Sequence, residues 1–298
     1  MCGFGAMAAR GRWGLRTPVI PRIIRTILLW MIAAIVLLPL LMTLGASFMG
    51  KTELLENISP VLSGGAGRAD LPLISTLPTL KQYVTLLFDS PKFLSMFWNA
   101  VNLAVWVVAG QVVVGTLAAW GFARYRFPMR DGLFMAYIAL MMMPFQVTLV
   151  PSYLVLDRLN LIDTAWSVIL PGIFNMFAVF LLRQFFQTVP GELLEAGRID
   201  GASETRVFIS VGLPLGAPGI ASLCILSFLD TWNLIEQPMT FLKTQEHWPI
   251  ALYLSKIGET NVEVAMAASV LTLLPTLLLF FYCESYLVRG IQMAGLKE

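Results

Sequence analysis

Charge is what this sequence has least of. Asp, Glu, Lys and Arg make up only 13% of its 298 residues, against 57% hydrophobic. The mean hydropathy is +0.77, and an ordinary soluble domain is excluded on composition. A net charge of +2 and a pI near 8.5 are too mild to argue for a nucleic-acid partner. Histidine occurs once, at His247 before Trp248-Pro249, and supports neither a metal site nor a catalytic base. The three cysteines, Cys2, Cys224 and Cys283, are widely separated, and the last two lie in apolar blocks. They form no disulfide framework and no metal-ligand spacing, and read as small core residues. No Ser/His/Asp set is present to serve a hydrolase. The expected catalytic and metal residues are therefore none.

What is abundant is uninterrupted apolar sequence. A helix needs roughly 20 apolar residues to cross about 30 Å of hydrocarbon. Six charge-free windows are long enough: Arg25 to Lys51, Lys92 to Arg124, Asp131 to Asp157, Asp163 to Arg183, Arg206 to Asp230, and Glu263 to Glu284. The fifth is expected to begin its span near Pro214. Pro39, Pro144, Pro151, Pro171 and Pro275 fall inside these windows, which membrane bundles tolerate when neighbours satisfy the freed carbonyls. A seventh candidate, Glu236 to Glu263, is interrupted by Lys243, Glu246, Lys256 and Glu259. The first window follows Arg10, Arg12, Arg16, Arg22 and Arg25, but its apolar run is long for a signal peptide and reads as a retained span. The fold expected is an all-α membrane protein with six transmembrane helices.

Lys and Arg placement orients these spans. The N-terminal tail, the second connection (Arg124, Arg126, Arg130), the fourth (Arg183, Arg198, Arg206) and the C-terminal tail (Arg289, Lys297) are assigned to the cytoplasm. The opposite side carries Lys51, Arg68, Lys81 and Lys92, then Arg158, then Lys243 and Lys256. Its first loop, Gly50 to Pro91, is glycine-rich at Ser63-Gly64-Gly65-Ala66-Gly67 and long enough to form a cap or a partner surface. Asn57-Ile58-Ser59 fits a glycosylation pattern, but Pro60 follows and the match reads as chance. Gly45 to Thr52, GASFMGKT, satisfies the Walker A pattern. A phosphate-binding loop needs a preceding strand and an α/β sheet; here a membrane span precedes it. Any nucleotide is expected on other chains.

The most informative polar stretch is Glu195 to Pro218, EAGRIDGASETRVFISVGLPLGAP. Pro190-Gly191-Glu192 starts a helix, with Pro preset for the first turn and carboxylates at the positive end of the dipole. Leu193, Ala196, Gly197 and Asp200 recur at three- and four-residue spacing, giving a small apolar face. Gly201 supplies a sharp break. Asp200 or Ser203 can cap a second helix, Glu204 to Val211, which runs into Leu213-Pro214. The register of Glu195-Ala196-Gly197, Asp200-Gly201-Ala202, Phe208, Val211 and Leu213-Pro214 resembles the EAA loop of ABC importer permeases, the membrane-channel subunits of binding-protein-dependent uptake systems. Gly197 stands where the family pattern has alanine.

The resemblance extends over roughly residues 78 to 298. Ala118-Ala119-Trp120-Gly121-Phe122-Ala123-Arg124-Tyr125-Arg126-Phe127-Pro128 is similar to the second-to-third span junction of carbohydrate-type permeases. So are Met143-Pro144, Val150-Pro151-Ser152-Tyr153, Leu159 to Thr164, Ile169-Leu170-Pro171, and then Phe228, Trp232, Asn233 and Pro238. The smaller, six-span subunit of the maltose-type pair is the nearest pattern, including a C-terminal tail at Gly290 to Glu298.

The resemblance implies a type I ABC importer permease fold and a bacterial inner-membrane location. Residues 1-94 would comprise tail, first span and outer loop; 95-288 the transmembrane core with its EAA loop at 192-214; and 289-298 a tail. It implies a second homologous permease, two cytoplasmic ATPases that carry the ATP and Mg, and an extracytoplasmic solute-binding protein. No cofactor is expected on this chain, and lipid is its remaining partner. Glu195, Ala196, Gly197, Asp200, Gly201, Ala202, Leu213 and Pro214 would couple to the ATPases, with Glu195 pairing a basic group there.

Asp230, Trp232, Asn233 and Asn102 are candidates for the translocation path, since aromatic and polar groups suit sugars. Asn99, Gln111, Gln146, Asn175 and Gln184 read mainly as interhelical hydrogen-bonding groups. An ion-coupled secondary transporter would use inverted repeats and embedded ionisable groups, and no convincing repeat is visible. An intramembrane enzyme would need a constellation that is absent. Oligosaccharide, monosaccharide glycoside and glycerol-phosphate substrates all stay open.

Overall fold

The computed structural model describes the backbone of residues 22–62, 75–257 and 261–295, and the side chains of 23–57, 75–257 and 261–283. The basic tail at Arg10, Arg12 and Arg16, the 63–67 glycine cluster, Arg68, the hydroxyl of Ser59, and the side chains of Arg289 and Lys297 lie outside the described residues. No strand occurs among the described residues.

The chain begins with α1 (Arg22–Ala46) and α2 (Lys51–Leu62). Next come α3 (Lys81–Val84), which widens into a π-helical turn at Thr85–Asp89, and α4 (Pro91–Arg124). The middle holds α5 (Arg130–Met141), α6 (Phe145–Arg158), α7 (Trp166–Ile173) and α8 (Met176–Thr188). Two short helices, α9 (Gly191–Ile199) and α10 (Glu204–Val207), then lead through a π-helical turn at Phe208–Gly212 into α11 (Leu213–Trp232). Finally α12 (Glu236–Phe241), α13 (Ile250–Ile257) and α14 (Val262–Gly295) close the chain.

Among the described residues five helical stretches are long and apolar enough to cross a membrane: Ile23–Ala46, Pro91–Arg124, Trp166–Thr188, Glu204–Trp232 and Val262–Cys283. The third apolar window is not one continuous helix. It is split into α5 and α6, bent by 99°. At about 1.5 Å rise per residue neither half crosses a bilayer alone. The cause is Pro144, whose ring disfavours helical backbone at Met143 and which itself takes φ −58°, ψ 135°.

The entry into the fifth span is helical throughout: α11 begins at Leu213, and helix runs from Glu204 to Trp232 without a break. Pro214 has no N–H to offer and would crowd the carbonyl of Ser210. The wider π-helical turn absorbs both problems. Among its described residues the seventh candidate window holds α12, a short 3-10 turn, α13 and the first residues of α14.

The long helix α4 is the hub, packing against α7, α8, α11 and α13. On one side of it Trp120, Leu182, Phe186, Val207 and Leu223 form the largest buried cluster. Toward its other end Phe93, Met96, Ala100 and Trp232 bury against Ile250, Ala267 and Ala268. Close approach of α11 to α8 depends on glycine. A Cβ at Gly216 would lie 2.4 Å from the Phe186 ring, and one at Gly219 2.5 Å from Phe185 Cγ. Small residues of this kind let membrane helices approach where lipid supplies no hydrophobic drive. In contrast, none of the apolar window of α1 is buried within the chain, which suits a helix facing lipid or another subunit.

The Walker-like segment Gly45 to Thr52 is the corner between α1 and α2 and bears no strand. Its Lys51 ammonium stands 3.6 Å from the Glu263 carboxylate, and Gln82 donates to the Met49 carbonyl at 2.7 Å. The corner is part of a small cap, built on Met49 and Leu54.

Candidate functional site

Two places gather the residues singled out by the sequence: the α9–α10 hairpin and a set of polar cavities at the far end of α11. The hairpin is specified residue by residue. Pro190, at φ −61° and ψ 131°, turns the chain into α9. Asp200 ends that helix, and Gly201 follows in the left-handed region at φ +80°. Its N–H donates to the Arg198 carbonyl and the next N–H, of Ala202, to the Gly197 carbonyl, each at 3.0 Å. This pair of reversed bonds closes the helix end, and glycine fits it without a Cβ penalty. Ser203 caps α10, its hydroxyl accepting from the Arg206 N–H at 3.4 Å. Of the two candidate caps, Asp200 instead closes α9.

Burial divides the hairpin into two faces. Leu194 and Val207 are buried, and Gly197 faces the Val207 side chain with room for a Cβ, which would fall at an ordinary 3.5 Å from it. The opposite face presents Glu192, Glu195, Ala196 and Ile199, all exposed, with Ile199 at 86%. Across the turn Arg198 forks onto Glu204, at 2.6 Å from Nε to one oxygen and 3.1 Å from Nη2 to the other. This brace was not legible in the sequence, because six-residue spacing across a turn has no helical signature. Leu213 is half-buried and Pro214 exposed, one turn beyond the hairpin.

The hairpin stands on α4. Arg124, at the C-terminal end of that helix, donates through Nη2 to the carbonyls of Phe186 and Val189, at the end of α8 just before the hairpin. Trp120, one turn earlier, meets Phe186 edge-on at 5.3 Å between ring centroids and Phe208 at 5.2 Å.

The second place is polar space around the end of α11. A groove of about 800 Å³ is lined by Phe145, Leu229, Asp230, Asn233, Glu236 and Gln237, among others. A narrower cavity of about 200 Å³ continues from Asp230 and Gln237 past Thr231 to Gln111 and Asn175. Asp230 and Asn233 are thus brought together. Trp232 lines neither of these two spaces: only 1% exposed, it edges a separate space of about 570 Å³ together with Asn233 and Thr272, stacks on Phe228, and donates to the Thr272 carbonyl at 3.2 Å. Asn102 sits on an exposed flank of α4 and lines neither space.

The other amides serve largely as interhelical ties. Gln111 donates to the Gly172 carbonyl at 2.8 Å and accepts from the Ser227 hydroxyl, and Asn99 reaches the Glu246 and Trp248 carbonyls at 2.6 and 3.2 Å. Gln146 meets the Glu236 carboxylate at 3.2 Å. Asn175 caps α8 by accepting from the Phe177 N–H at 2.8 Å.

Asp163 is a further anchor. Holding φ +65°, it accepts from the N–H groups of Lys243 and Thr244 and from the Thr244 hydroxyl, at 2.8, 2.9 and 2.6 Å. The Thr244 contacts hold its carboxyl well below the usual range, at about 2. His247 lies 3.3 Å from the same carboxylate, which gives the lone histidine a structural place. No group of His, Cys, Asp and Glu that could hold a metal ion occurs among the described residues.

Comparison with known proteins fits this architecture. Residues 111–292 match the family model described as binding-protein-dependent transport system inner membrane component. The chain is 29% identical over 269 residues to the arabinooligosaccharides transport system permease protein AraQ of Halalkalibacterium halodurans, covering 89% of this chain and 93% of that one. It is 31% identical to the sn-glycerol-3-phosphate transport system permease protein UgpE of Salmonella typhimurium, over 80% of each. Among solved structures, a chain of a bacterial ABC transporter involved in import of the acidic polysaccharide alginate superposes with a TM-score of 0.75 at 21% identity, covering 89% of this chain and 95% of that chain. That likeness speaks to the fold. The chain therefore belongs to the family of binding-protein-dependent transport system inner membrane components.

Proposed function

We propose that this chain forms half of the gate of a carbohydrate importer and is driven by ATPases it does not contain. A second permease of related fold completes the gate, two cytoplasmic ATPases grip the α9–α10 hairpin, and an extracytoplasmic binding protein delivers solute. The N-terminus, the hairpin and the C-terminus face the cytoplasm of a bacterial inner membrane, in line with the placement of Arg124, Arg126, Arg183, Arg198 and Arg206. The observation that carries the reading is the hairpin: braced by Arg198–Glu204, closed at Gly201, and offering an outward face of Glu192, Glu195, Ala196 and Ile199. ATP and Mg belong to the ATPase chains.

In this mechanism the ATPases close and open, and a rigid helix seated in their cleft follows. Ala196 and Gly197 allow deep seating, while Glu195 pairs with a basic group and holds register. Asp200, Gly201 and Ala202 keep the angle between the two arms. Because α10 continues through Leu213 and Pro214 into α11, rotation of the hairpin turns the fifth span and moves the groove at Asp230 and Asn233. Trp232 supports that wall from behind, and Asn102 remains a candidate for contact on the α4 side.

The groove also argues for the charge of the solute. Asp230 and Glu236 line it with the amides of Asn233 and Gln237, and no Lys, Arg or His does. Two unit charges of one sign about 5 Å apart repel by about 3 kcal/mol at an effective dielectric near 20. We therefore favour a neutral saccharide over a glycerol phosphate or a uronate.

The test is uptake by the assembled importer in proteoliposomes. Neutral oligosaccharide should enter only with ATP inside, and the Glu195→Arg and Gly201→Pro variants should assemble yet lose uptake. Uptake driven by an ion gradient without ATP would select a secondary carrier instead. In an Asp230→Lys variant, exclusion of an anionic sugar should weaken; unaltered exclusion removes the charge argument alone.

A further inference from the structure

The two residues at the end of α4 hold more than one neighbour each, and the neighbours are the two roots of the hairpin. The root entering it is the end of α8. There Arg124 Nη2 reaches the carbonyls of Phe186 and Val189 at the negative end of that helix, the first of which also accepts from the Val189 N–H at 3.4 Å. Val189 is two residues from the first residue of α9. The root leaving the hairpin is the π-helical turn after α10. Its Phe208 lies 5.2 Å from the Trp120 ring, and a Cβ at Gly212 would stand 2.7 Å from Trp120 Cζ3. Phe186 and Phe208 also meet each other, at 6.4 Å, so the three rings close a triangle. Arg124 lies over the Trp120 ring at 5.8 Å, joining the polar and aromatic halves of the contact.

Each side of this arrangement excludes a simple substitute. Lysine has one ammonium and no planar fork, so serving two carbonyls while stacked on an indole suits arginine. Any side chain at Gly212 would displace the ring. The carbonyls accepted by Arg124 lie 62 and 65 residues away in sequence, which no local periodicity could have announced.

We propose that Trp120 and Arg124 are positioning residues of the coupling apparatus. They form a socket that grips both roots of the hairpin, so that its movement turns α4 and α11 as one body. This rests on the hairpin being the coupling element. Without the socket, the hairpin would pivot on its roots. ATP hydrolysis would continue while less of the motion reached the membrane.

The experiment uses the complete importer, with partner permease, ATPases and binding protein, in proteoliposomes. Solute uptake and ATP hydrolysis are measured on the same preparation. Arg124→Gln should lower solute carried per ATP about tenfold, a typical coupling free energy, with the KM for ATP unchanged. Arg124→Lys should recover part of that loss. Spin labels at Thr205→Cys, off the outward face of the hairpin, and Trp106→Cys, both exposed native positions, should show a broadened distance distribution in Arg124→Gln. Gly212→Ala is the second variant, with the same expectation, should Arg124→Gln fail to accumulate. A wild-type ratio and an unbroadened distance in these variants overturn the socket. If Gly201→Pro uncouples while they do not, the socket alone fails. If none uncouples, the hairpin reading fails with it.

Discussion

Gly201 shows how much one residue carries. Its φ of +80° lies where a side chain costs roughly 1 kcal/mol or more, and both bonds that close α9 depend on that geometry. Gly201→Val is expected to leave the chain in the membrane but cut ATP-driven uptake at least about tenfold, measured in vesicles at matched protein level. Gly197 behaves oppositely. Its backbone is ordinary helix, and a Cβ would sit 3.5 Å from Val207, a normal contact. Gly197→Ala should stabilise by about 0.5–1 kcal/mol, seen as a higher melting temperature with uptake retained. Asp163 adds a pH dependence. Its folded pKa, about 2, lies below the ordinary 3.8, so its contribution is full above pH 3.8 and is lost as pH falls toward 2. Protection of the Lys243 and Thr244 amides, relative to their free exchange rate at each pH, should fall over that window, and in Asp163→Ala it should be lost already at neutral pH.

At the scale of elements, the spans themselves were readable because charge is absent from them, and the hairpin because Pro190, Gly201 and Ser203 act locally. The 99° bend between α5 and α6 was not readable, although its cause, Pro144, stood in plain view. An apolar run reads as one span unless something reports direction, and prolines inside other spans, such as Pro218 in α11, leave the helix continuous. Burial of Trp232 was also hidden, since an aromatic beside Asp230 and Asn233 fits a path as readily as a core. Long-range contacts such as Arg124 to the end of α8 have no sequence signature at all. Packing of α8 on α11 supplies a test at this scale. Gly216→Val places a Cβ 2.4 Å from the Phe186 ring. Overpacking of this kind should cost about 1–3 kcal/mol, measured as a lowered melting temperature of the chain in detergent.

At the scale of the molecule, the exposed apolar window of α1 and the open groove at Asp230 describe a chain that is incomplete alone. Under the proposed function, lipid and a second permease cover these surfaces. In the proposed mechanism the hairpin is the handle that the ATPases turn. ATP hydrolysis and solute uptake should be measured with the purified chain by itself and again after its partner permease, ATPases and binding protein are added. The account predicts neither activity from the chain by itself and both from the assembly, with uptake strictly dependent on ATP. Nucleotide hydrolysis or unaided uptake by the isolated chain would contradict it.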